Sequence, residues 1–195
     1  MKVMKNFNAL FIFGLGILIP ATSYFAYGIL LFCVFWLLFF AGILSDFLIT
    51  LLELKKTARV FSVFFIFSAA VFCNTFLETL FPILQLSLSL YVYFIAGSYV
   101  LTISLNHYKA FYESFEFPLT FSLLLLILSL IRELLGFGTI SLPVPSGFLL
   151  FNLLPFTVPV RFLASSAGAF MLTGVGLWVY RTIKRGEILP FENTY

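Results

Sequence analysis

The chain has 195 residues, of which 62% are hydrophobic, 20% aromatic and only 10% charged, with a net charge of +3. Soluble domains carry about 25% charged and about 45–50% apolar residues, so this composition excludes that class and is that of an integral membrane protein. Apolar stretches recur from end to end, which a single cleaved leader would not produce, and no basic patch with interleaved exposed aromatics points to nucleic acid.

Crossing about 30 Å of hydrocarbon takes about 20 apolar residues in a helix. Residues 1–195 read as a single polytopic, all-α membrane domain with six transmembrane helices, at 7–25, 28–50, 60–80, 83–105, 118–135 and 162–180. The first span contains Gly14, Gly16 and Pro20 and is expected to be broken rather than straight. The second carries Cys33 and closes on Asp46 and Glu53, and the third carries Cys73 and Glu78.

A charge at the bilayer centre costs about 2.5–3.5 kcal/mol on insertion scales and less near an interface. Asp46 and Glu78 therefore read as edge residues, with an ion or proton path between helices as the functional alternative. Two thiols with no nearby histidine cannot complete a four-ligand zinc or iron–sulfur site. Cys33 and Cys73 read as small hydrophobes, and a disulfide would need their Cα atoms within about 7 Å.

The fourth span follows Pro82 and contains Gly97. After it comes the stretch 106–116, NHYKAFYESFE, where His107 reads as a solvated loop residue. Glu113 and Glu116 could share a helix face but have no partner at metal-ligand spacing. No Ser-His-Asp set, glycine-rich phosphate loop or paired acid and base occurs, so the chain is at most a non-catalytic subunit of an enzyme.

The fifth span closes on residues 127–139, ILSLIRELLGFGT, the most specific run in the chain. Arg132 and Glu133 stand side by side in hydrocarbon, and Gly136 and Gly138 stop the helix. An ionisable pair in such a segment is a functional candidate. Neighbours on a helix diverge by about 100°, so these two should not bond each other. One is expected to anchor at the outer interface, the other to point into the bundle or toward backbone groups freed by the glycines. Helix-end capping is the structural alternative. Residues 147–160 are apolar but carry Pro155 and Pro159, and read as an interfacial or re-entrant piece before the last span.

Cytoplasmic loops collect lysine and arginine. With both termini cytoplasmic, that side holds Lys2, Lys5, Lys55, Lys56, Arg59, Lys109, Arg181, Lys184 and Arg185, leaving Arg132 and Arg161 on the other; six spans supply the even number of crossings this needs. Three spans against three would make an inverted repeat, with broken first and fourth helices near the midplane. The second span closes on LITLLELKK and the fifth on LSLIRELLG, setting Glu53 in register with Glu133.

The stretch TFSLLLLILSLIRELLGFGT (120–139), then GFLL (147–150), AGAF (167–170) and a glycine-rich last span ending in basic residues, resembles the Rnf/Nqr family of membrane subunits. Cytoplasmic ends and a basic tail make it more similar to the RnfE/NqrD type than to the oppositely oriented RnfA/NqrE type. The resemblance covers mainly the C-terminal half. It implies a bacterial cytoplasmic (inner) membrane location and a heterodimer with a related six-span subunit, within an ion-translocating electron-transport complex of further subunits. It also implies an iron–sulfur centre held by cysteines of the broken first and fourth helices. Here those positions are Ile19 and Val92 or Tyr93, none of which replaces a thiolate, so no cofactor is expected in this chain. The alternative is a transporter-like or ligand-binding membrane component on the same scaffold that has lost redox function.

Overall fold

A computed structural model describes residues 22–53, 57–105, 116–153 and 161–183. The first predicted span, with Gly14, Gly16, Ile19 and Pro20, lies outside them but for its last residues, as do His107, Glu113 and the basic residues beyond 183. The described residues are mostly helical, with one small sheet. The elements are α1 (Phe25–Leu51), α2 (Ala58–Leu80), α3 (Pro82–Leu105), α4 (Glu116–Phe137), β1 (Thr139–Val144), β2 (Gly147–Asn152), α5 (Arg161–Ala164) and α6 (Ser166–Ile183). Both α1 and α2 are long and apolar enough to cross a membrane.

Helix α1 is the hub, packing against α2, α3, α4 and β1. Its buried stripe, Leu30, Leu31, Val34, Leu38 and Phe39, recurs at helical spacing and meets Ile66, Leu84, Leu88, Val92 and Leu125 from its neighbours. The opposite faces remain apolar: Phe40, Phe47, Phe64, Phe72, Leu86 and Leu90 are all exposed. Small residues bring the helices close. A Cβ on Gly28 would lie 2.8 Å from Ser129 Cβ, so α1 and α4 touch at this point because neither side carries bulk.

The predicted interval 83–105 is occupied by α3, which runs unbroken, so a broken fourth helix is not what forms. Pro82 sits in the first turn, where its missing N–H costs nothing, and Gly97 lies mid-helix with open space beside its Cα. The interruption falls instead in the last predicted span, between α5 and α6 at Ser165.

The fold is also not purely helical. Gly138, at φ 71°, ends α4 in the left-handed conformation that glycine favours. Its N–H donates to the Glu133 and Leu134 carbonyls at 3.2 and 3.0 Å, and its carbonyl accepts the Leu153 N–H at 3.1 Å. Between those two points β1 and β2 pair antiparallel, Thr139 opposite Asn152 through Val144 opposite Gly147, around a Pro145–Ser146 turn. Along β1 the hairpin turns hydroxyls inward, and its other face is apolar. Thr139 and Ser141 face Glu133, while Leu142, Leu149 and Phe151 on the opposite face are exposed.

Candidate functional site

The site is built at the N-terminal end of α1. Tyr24, its N-cap, is extended at φ −117° and ψ 144° and gives no side-chain cap. The Phe25 and Ala26 N–H groups are therefore orphan donors of the first turn. Glu133 and Ser141 supply the acceptors from more than a hundred residues away. Phe25 N–H donates to Glu133 Oε2, and Ala26 N–H donates to Ser141 Oγ at 3.1 Å. The Ser141 hydroxyl donates in turn to Glu133 Oε2 at 2.7 Å, and Thr139 Oγ1 donates to Oε1 at 3.1 Å. Three donors converging on one buried carboxylate suit an ionised, acceptor-only group. The positive end of the α1 dipole adds to this.

Arg132, one residue earlier, points elsewhere. Nη1 donates to Thr22 Oγ1 at 2.8 Å, and Nη2 donates to the carbonyls of Ala164 at 2.8 Å and Ser165 at 3.3 Å. Those carbonyls close α5, so the cation meets the negative end of a helix as the anion meets a positive one. The approach depends on Gly136, where a Cβ would lie 2.7 Å from Ala164 Cβ and 3.0 Å from its backbone N. Ser165 Oγ completes the break: it donates to Phe162 O at 2.6 Å and accepts the Gly168 N–H at 3.2 Å. Arg132 and Glu133 are both 0% exposed, so neither anchors outward. Aromatic rings cover the node. Tyr24 stacks on Phe137 and on Phe148 at centroid distances of 5.1 and 4.8 Å, and Tyr27 meets Phe148 edge-on at 5.3 Å.

No protein-family model matches the chain. Over 179 residues it is 37% identical to an uncharacterized protein of Treponema pallidum (strain Nichols), an alignment spanning 92% of this chain and 91% of that protein. The chain belongs to that protein's family. The similarity covers most of both proteins and is not confined to an isolated segment.

In this member of the family the remaining candidates do not join the node. Glu78, near the C-terminal end of α2, is exposed, and Asp46, near the C-terminal end of α1, is half-buried. Glu53 sits in an exposed turn at φ 52°, unlike its register partner Glu133. Cys33 is exposed and Cys73 buried, both as free thiols. Val92 belongs to the apolar core and Tyr93 packs against it, so these positions do not fit an iron–sulfur centre. Among the described residues no group of three or more His, Cys, Asp or Glu could hold a metal ion. Thr22, Tyr24, Thr139 and Ser141 are the site residues that the sequence did not single out. Thr22, Tyr24 and Ser141 have partners far along the chain, and Thr139 meets Glu133 only across the end of α4.

The hydrogen bonds of the node tie separate elements together. Three donors meet the carboxylate, and the two terminal guanidinium nitrogens meet a hydroxyl and two carbonyls. What the node does is fasten α1, α4, the hairpin and the α5–α6 break into one unit.

Proposed function

We propose that the chain is a multi-pass subunit of a bacterial inner-membrane, Rnf/Nqr-like ion-translocating electron-transport complex, without an iron–sulfur centre of its own. In this reading both termini are cytoplasmic, the two halves form inverted repeats, and a related six-span subunit binds as a heterodimer partner beside further subunits. One observation carries it. The segment that resembles the family, 120–139, contributes the buried Arg132 and Glu133 that clamp two helix ends, so the likeness falls on residues that organise the fold. The apolar exposed faces of α1, α2 and α3 supply surface for lipid and for that partner.

The test is purification of the tagged full-length chain from its own membranes in mild detergent, with identification of co-purifying polypeptides and metals. A related six-span subunit together with redox-carrying subunits is expected, with no stoichiometric iron on this chain. Recovery of the chain alone, with solute uptake into vesicles that hold only this protein, would replace the reading by the transporter-like one. The apolar residues at the thiolate positions already favour that as the second choice.

A further inference from the structure

We draw no further inference here: the strongest candidate, the exposed apolar face of the β1–β2 hairpin at Leu142, Leu149 and Phe151, carries nothing, because nothing in the structure shows what covers it.

Discussion

Ser141 and Glu133 are joined by a hydrogen bond of 2.7 Å, and the same Ser141 oxygen accepts the Ala26 N–H at 3.1 Å. Helix α1, the hub of the fold, is thus capped from a strand and a helix end far away in sequence. Loss of an N-cap acceptor costs about 0.5–2 kcal/mol, and hydrogen bonds to a charged group contribute about 1.5–3 kcal/mol. Ser141→Ala should therefore destabilise the protein by about 1–2 kcal/mol. Glu133→Gln, which turns one acceptor oxygen into a donor facing donors, should cost about 2–3 kcal/mol. Thermal unfolding in mild detergent measures both. A Ser141→Ala protein as stable as the parent would mean that the cap contributes nothing.

Arg132 should not be replaceable by lysine. Its Nη1 and Nη2 serve Thr22 on one side and Ala164 with Ser165 on the other, a fork that a single ammonium cannot reproduce. Arg132→Lys is expected to keep its charge yet release the α5–α6 break, making the Ser165 region more open to limited proteolysis. Arg132→Ala, which removes the donor to the Ala164 and Ser165 carbonyls, should impair assembly more strongly than Arg132→Lys. If the node is purely structural, Arg132→Ala and Glu133→Gln lower the amount of assembled protein without lowering activity per assembled molecule. Normal assembly with lost ion movement would point to a direct role.

Much of the helical layout was legible because it rests on uninterrupted apolar runs. The intervals 28–50, 60–80, 83–105 and 118–135 are filled by α1 to α4, each helix extending at most three residues beyond its predicted start. The hairpin was not legible, since only β1 alternates, over a short run that holds Pro143 and leads to Pro145, while β2 reads as a plain apolar run. The break at Ser165 was missed because its cause, the Arg132 fork reaching Ala164 and Ser165, is tertiary. Arg132 and Glu133 stood out by charge alone. Their inward direction could not be read, because the partners Thr22, Phe25 and Ala164 are between 32 and 110 residues away.

Two glycines give opposite expectations for the same substitution. Gly97 lies in mid-helix with nothing within 4 Å of an added Cβ. Alanine there should stabilise by about 0.5–1 kcal/mol through helix propensity. Gly136 meets the Ala164 Cβ at 2.7 Å and its backbone N at 3.0 Å, so the same gain is outweighed by the displacement of α5 from Arg132. Gly136→Ala should lower the unfolding temperature, and Ala164→Gly added to it should restore part of the loss. The backbone contact remains and limits the rescue. Equal effects at both glycines would mean that the α4–α5 approach is not held by packing.

The ends of α1 and α2 carry the orientation test. Glu53 lies in the turn after α1, and Glu78 near the far end of α2, so one helix length separates them. The basic residues gathered at 55, 56 and 59 beside Glu53 favour retention of that turn on the cytoplasmic side. In a Cys33→Ser, Cys73→Ala background, a membrane-impermeant maleimide applied to intact cells should label Glu78→Cys, and should reach Glu53→Cys only after permeabilisation. The node shares the Glu78 side, because α1 runs from Phe25 toward Glu53 and α2 returns. Glu133 then lies near the outer surface, where a charge costs less than at the bilayer centre. Labelling of Glu53→Cys from outside would invert the chain, placing Arg132 and Glu133 at the cytoplasmic face and removing the charge bias on which this orientation depends.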